Sequence, residues 1–435
     1  MDNRFSNIFN LTEDQAIALL KKPLDTEDGT SERYVGAAHL INFPTERSIN
    51  ALIEAIGDHN PALENRIARR KAVESLGRLK AVQAMPTLKS CLADDDPLVV
   101  ENAVWAIGEI GTEDRSVLEA IANLLTKPNQ SYRVIIHTLA NFDYQPAIER
   151  IKPFTNHDDE SIASAAISSL ARLTGDYSQM EQVVEFLQHE NVNARRACIQ
   201  DLIDAEYCPA ISAIAKAPIS VAFRLRGIRL LAAKGIGTGK ISFAEIEPSL
   251  DQIIRDRPQD VEMVHEYDQP PSLEFLIREL YHTDFGRCYL ASKTLLEKYP
   301  QEATTALLKT YEEEAHNDYG AHFHVVKLLG LLNYQPAYEL MQEALHNASP
   351  QFQKSRAAAA IALANIGATQ AISILKQTLA TPIFDLKYAC LLALEQLGEN
   401  CWSEAIDDQN LLIKAKANHK LNQFHLQSKT NNSAT

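Results

Sequence analysis

Residues 69–77, RRKAVESLG, and residues 101–108, ENAVWAIG, end alike, with a large aliphatic residue followed by glycine at Gly77 and Gly108. The pattern continues in RVIIHTLA, which ends at Ala140, and ASAAISSLA, which ends at Ala171, so the steps are 31, 32 and 31 residues. It resumes in HVVKLLG to Gly330, AAAAIALA to Ala364 and ACLLALEQLG near Gly398. Short second helices lie between the markers, AMPTLKSCLA after Gly77 and AISILKQTLA after Gly367. A period of this length is the mark of a repeat array. Each unit reads as two short helices with a small residue where they cross, and stacking buries the apolar face that one unit cannot bury alone. No sustained period-2 alternation competes. The expected fold is all-α, a right-handed α-solenoid of HEAT or armadillo type.

The repeats suggest four stretches. Residues 1–234 form an N-terminal block and 286–402 a C-terminal block. Residues 235–285 are rich in Gly and Pro, break the register and read as an irregular connecting layer. The polar segment 403–435 reads as a flexible tail.

Composition narrows the function. The 435-residue chain carries 42 basic and 57 acidic residues, a formal net charge of −15, with 46% hydrophobic residues. Such a surface repels phosphate backbones, which argues against nucleic-acid binding. No apolar run approaches the ~20 residues of a membrane span, and MDNRFSNIFNLTEDQ shows no secretory signal. The expectation is a cytoplasmic protein without membrane insertion. Six scattered cysteines with no CxxC pair read as reduced thiols. GIGTGK at 235–240 is too short between its outer glycines for a phosphate loop, lacks Ser or Thr after the lysine, and follows no strand. ADDDP at 93–97 is an inter-helix turn, and no His/Cys cluster has metal-ligand spacing.

The N-terminal run is more specific than a generic array. SERYVGAAHL at 31–40, the Arg69-Arg70 pair before a helix ending Leu-Gly, and NAVWAIG at 102–108 resemble the E/F-type phycobiliprotein lyases. Most of 30–400 shares the resemblance, and the length in a single chain resembles the branch acting on phycoerythrin α subunits. The resemblance implies attachment of a linear tetrapyrrole, phycoerythrobilin, to a client cysteine through a thioether, with isomerisation to phycourobilin left open. The bilin is then a substrate, with no tightly bound cofactor and no metal. The partners implied are the phycoerythrin α subunit and the bilin, with the need for a second lyase-like subunit left open. A non-catalytic HEAT scaffold for phycobiliprotein assembly is the alternative.

That chemistry sets requirements. The client supplies the thiolate, so none of the chain's own cysteines is needed. The enzyme must position both substrates and hand over a proton. Propionates call for Arg, Lys or His, pyrrole N–H groups for a carboxylate, and flat rings for aromatic walls. HNDYGAHFH at 316–324 offers candidates in Asp318, Tyr319 and His322. DFG at 284–286 precedes DYG at 318–320 by 34 residues, so the repeat explains the acid, the ring and the glycine. Asp96, Asp159 and Asp284 stand at the same place and read as helix N-caps. Tyr319's phenol oxygen and His322's imidazole are what the repeat does not explain, and the family resemblance makes the three the catalytic candidates. At 100° per residue Asp318 and His322 can face each other, while Lys327 points away from the core stripe. Trp105 is a candidate ring wall or client contact, with Glu101 beside it. Arg69 and Arg70 suit propionate or client contact, or ion pairs with the next repeat. Arg224, Arg226 and Arg229 spread over more than one face.

Overall fold

The computed structural model describes residues 10–24 and 32–432, with side chains to 423. Among these are 24 α-helices and no strand, and the fold is an all-α solenoid of HEAT-type helix pairs. Chain contacts divide it into two compact units, Met1–Gln179 and Met180–Thr435. This partition differs from the four stretches drawn from the repeats.

In the first unit, Glu32–His39, Leu63–Arg78, Pro97–Ile110, Tyr132–Asn141 and Glu160–Thr174 pack in succession. Their shorter partners, such as Met85–Cys91 and Arg115–Leu124, close the apolar faces. Side-chain caps fix the starts of Pro97–Ile110 and Glu160–Thr174. Asp96 accepts from the Leu98 N–H at 3.1 Å and Asp159 from the Ser161 N–H at 2.9 Å. An acceptor there satisfies amides that have no partner inside the helix. Arginines of one repeat then grip the loop acids ahead of the next, as in Arg33–Asp58 at 3.0 Å.

In the second unit, Val192–Asp204 packs on Val221–Gly237, and Phe285–Lys298, Tyr319–Leu331, Gln353–Asn365 and Phe384–Gln396 pack in succession. The Gly- and Pro-rich stretch is more ordered than expected. It contains the helix Phe243–Arg255, which accommodates Pro248 and ends at Asp256 in the left-handed region (φ 45°). This helix touches Gln353–Asn365, Phe384–Gln396 and the last helix, Leu411–Asn432. The stretch expected to be a flexible tail therefore contributes a docked helix. Leu412, Ile413 and Ala417 are buried, and the buried Lys416 ammonium sits 2.5 Å from Glu247 and 2.7 Å from Asp251.

The marker residues do not share one role. A Cβ on Gly330 would stand 2.4 Å from the Ala362 Cβ and 2.6 Å from its Cα, so the two backbones meet there. A Cβ on Gly77 would stand 2.8 Å from Ala106 and from the Trp105 ring. Gly108 is exposed, and the Thr138 side chain lies 3.5 Å from its would-be Cβ. Gly398 follows the end of its helix at φ 90° and turns the chain. Overpacking a tight crossing costs about 1–3 kcal/mol, whereas Gly→Ala in an open helix interior gains roughly 0.5–1 kcal/mol. Urea denaturation should therefore show Gly330→Ala destabilised and Gly108→Ala unchanged or more stable. Equal effects would show that Gly330 is not a contact point.

Candidate functional site

The second unit holds a buried ionic cluster. Asp256, 4% exposed at the end of its helix, accepts from Lys327 Nζ at 2.9 Å, from Arg224 Nη2 at 2.5 Å and from the Tyr289 hydroxyl at 2.8 and 2.9 Å. Arg224 also donates to the Ala215 and Ile219 carbonyls. Burial alone would raise the Asp256 pKa, but Lys327 and Arg224 outweigh it and hold the carboxyl below its ordinary range. One carboxylate faces two cations, and burial pushes the Lys327 ammonium below the usual lysine value. Lys327 also lies over the Tyr289 and Phe323 rings, at 4.3 and 4.8 Å. The outward assignment of Lys327 is thus corrected: all of 320–330 is buried, so this helix has no solvated face.

Beside the cluster lies a cavity of about 390 Å³. Its walls are mostly apolar, with Val221, Phe223, Ile253, Phe323, Ala357 and Ile361, and Asp256 and Lys327 reach its floor. Tyr319, Lys354 and Asp385 complete the rim and polar wall. Tyr319 is 50% exposed, and its ring lies 4.6 Å from Lys354 Nζ. The same ammonium contacts the Phe285 and Phe323 rings at 4.2 and 5.3 Å. Burial pushes the Lys354 pKa down to about 8. Burial likewise raises the pKa of Asp385, against the opposing effect of hydrogen bonds that include one of 3.3 Å from Gln353 to its Oδ1. An apolar pocket with a few convergent polar groups is what a small-molecule site requires.

The sequence-derived candidates fall in different places. Asp318 caps the Tyr319–Leu331 helix, its Oδ1 accepting from Gly320 and Ala321 N–H at 2.8 and 2.7 Å. Its counterparts Asp96 and Asp284 also bind arginines, Arg70 at 2.8 Å and Arg195 at 2.6 Å. Among the described residues Asp318 has no such partner. His322 does not line the cavity. It is packed against Phe352, with ring centroids 4.6 Å apart, and its Nε2 is 3.4 Å from the Tyr311 hydroxyl. Tyr311 opens a π turn, Tyr311–Ala315, of a kind often found near functional sites. Asp318 and Tyr319 are therefore adjacent at the helix start, while His322 sits apart from the cavity wall.

In the first unit the candidate residues are engaged in packing and ion pairs. Arg69 is buried and held by the Ile56 carbonyl at 2.9 Å and Asp94 at 2.5 Å. Arg70 makes a bidentate contact to Asp96, so neither guanidinium is free to take a propionate without breaking an ion pair. Glu101 accepts from Ser131 at 2.6 Å. Trp105 is half-buried over Gly77, with Arg78 6.0 Å from its ring. Arg226 binds Gln200 and Arg229 lies over Phe384, so only Arg224 of its trio joins the ionic cluster.

The family of HEAT repeats matches residues 62–140, and the family of PBS lyase HEAT-like repeats matches 355–381, which includes cavity-wall residues Ala357 and Ile361. The phycocyanin operon protein Y of Pseudanabaena tenuis is 56% identical over 96% of this chain and 100% of its own length. The bilin biosynthesis protein CpeY of Synechococcus sp. WH8020 is 32% identical over 87% of this chain and 92% of its own. The chain belongs to the HEAT-repeat bilin lyase family. The phycocyanobilin lyase subunit alpha of Picosynechococcus is 31% identical over 52% of this chain and 86% of its own length. This protein is a chromophore lyase. Among the described residues no helix is long and apolar enough to cross a membrane.

Two predictions follow from the buried charges. Removing one partner of a buried ion pair costs about 3–5 kcal/mol, so Asp256→Ala should lower the urea stability of the protein by that order. An unchanged midpoint would mean that Arg224 and Lys327 are solvated without it. The second concerns acid stability. Burial, with His316 and Lys354 adding to it, pushes the His322 pKa from its ordinary 6.5 to about 4, and His324 is pushed well down for the same chief reason. Between these values the unfolded chain binds protons that the folded chain refuses, so stability is full above pH 6.5 and falls as pH drops toward 4. His322→Phe should flatten part of that fall in Tm between pH 6.5 and 4.5. An identical slope would contradict the buried neutral imidazole.

Proposed function

We propose that this protein attaches phycoerythrobilin to a cysteine of a phycoerythrin α subunit, with the bilin held in the cavity between Tyr319, Phe323 and Lys354. The similarity to the bilin biosynthesis protein CpeY over 87% of this chain supports a bilin substrate, and the choice of phycoerythrobilin and a phycoerythrin α subunit follows the family branch that the chain resembles. The observation that carries the placement is the cavity itself, which combines apolar walls, an exposed phenol and a half-buried ammonium in one concavity.

In the reaction the client's S–H adds across the exocyclic double bond of the bilin A ring. A C–S bond forms, the π bond breaks, and the proton lost from sulfur is balanced by one delivered to the neighbouring carbon. The nucleophile comes from the client, a reading supported by the state of the chain's own cysteines. All six are buried, and burial pushes Cys91 up to about 11 and Cys288 and Cys390 up to about 12, where thiolate is scarce. Tyr319, half-exposed at the rim, is the group placed to exchange a proton with an arriving client, and Asp318 fixes the helix start that presents it. His322, neutral and packed on Phe352, serves by holding that helix from behind.

Co-expression with a phycoerythrobilin supply and a phycoerythrin α subunit, with this chain as the only lyase, tests the proposal. Acid-stable colour on the subunit is expected. Its absence favours the scaffold or a required second lyase-like subunit, and colour on a phycocyanin α subunit instead reassigns the client. A band shifted to the blue marks isomerisation to phycourobilin, whose conjugation is shorter. Tyr319→Phe should slow attachment by about 10²-fold, the usual worth of a general acid–base group. Attachment at the wild-type rate would remove the phenol from the chemistry.

A further inference from the structure

Lys354 differs from the paired cations of the second unit. Arg224 and Lys327 share Asp256, Arg195 holds Asp284, Arg287 holds Glu279, and Lys416 holds Glu247 and Asp251. Among the described residues Lys354 has no carboxylate within 4.0 Å and no hydrogen-bond acceptor. Its Nζ instead stands over three rings, Phe285, Tyr319 and Phe323, each from a helix earlier in the chain. It faces the cavity and is half-buried. Cation–π contacts stabilise such an ammonium and fix where it sits, but they leave its three N–H donors unmatched. An ammonium held in place by rings, with donors open toward an apolar cavity, is a receptor for an anion. The cavity walls are mostly apolar, so the anion should belong to a molecule with a large apolar body. A carboxylate on a short flexible arm fits both demands, because it can reach the rim while the body fills the cavity.

We propose that Lys354 binds a propionate carboxylate of the bilin and so fixes the register of the tetrapyrrole in the cavity. The assignment rests on the bilin reading of the cavity and makes Lys354 a binding residue separate from the proton-handling group. The cation–π cage has a specific purpose in this account. It keeps the ammonium at the rim when no ligand is present, so binding does not have to order a free lysine.

The test compares phycoerythrobilin with its dimethyl ester, which keeps the ring system and removes both negative charges. Binding is followed by the change in bilin absorption on titration with the whole chain. Wild type is expected to bind the free acid about 10-fold or more tightly than the ester. Lys354→Met should abolish that preference while leaving ester affinity within about 2-fold, and Lys354→Arg should restore most of it. Equal binding of acid and ester by wild type overturns the assignment alone, as does a Lys354→Met variant that weakens both ligands equally. A wild-type chain that binds neither form overturns the bilin reading of the cavity, and the assignment with it. Circular dichroism of Lys354→Met checks folding, and the Lys354→Arg variant supplies the comparison if the Met variant is unstable.

Discussion

The Asp256 carboxylate is the constraint on which the second unit depends. It stands at a left-handed turn that ends the Phe243–Arg255 helix, and it receives donors from three other helices: Arg224, Tyr289 and Lys327. Hydrophobic packing sets the spacing of those helices. The buried carboxylate adds a cost to any shift that parts it from these donors, because such a shift strands a charge. The same cluster forms the floor of the cavity, so the position of the floor and the packing of the helices are set by one group of side chains.

Around that floor the division of labour is chemical. Apolar side chains shape the space, rings hold Lys354 at the rim, and Asp318 begins the helix that presents Tyr319. The first unit uses the same repeat for a different end. Its arginines are occupied by loop acids, its Trp105 covers a glycine, and its candidate binding groups are parts of the packing. This contrast is why the second unit, with Lys354 over rings at the cavity and an Asp318 that among the described residues no arginine holds, carries the functional reading.

Much of the fold was legible because close helix crossings demand small residues, and small residues recurring every 31 or 32 positions are visible in a single sequence. The N-capping aspartates were legible for a similarly local reason. Lys327 was misread because a helical wheel assumes one solvated side; apolar residues occur on every side of HFHVVKLLGLL, and its two histidines and lysine are buried with them. Asp256 was hidden in the Gly- and Pro-rich break, where no repeat register predicts what faces what. Lys354 was hidden because its cage is built from rings on two earlier helices. The phenol of Tyr319 was found by comparing one repeat with the next, and that comparison could not show that His322 would face Phe352 instead of the cavity.

The most direct measurement is a crystal structure of this protein with phycoerythrobilin bound. The account predicts the tetrapyrrole against Phe323 and Ile361, with Tyr319 at one edge and a propionate on Lys354. A bilin bound in the first unit, or anywhere that leaves this cavity empty, would contradict it.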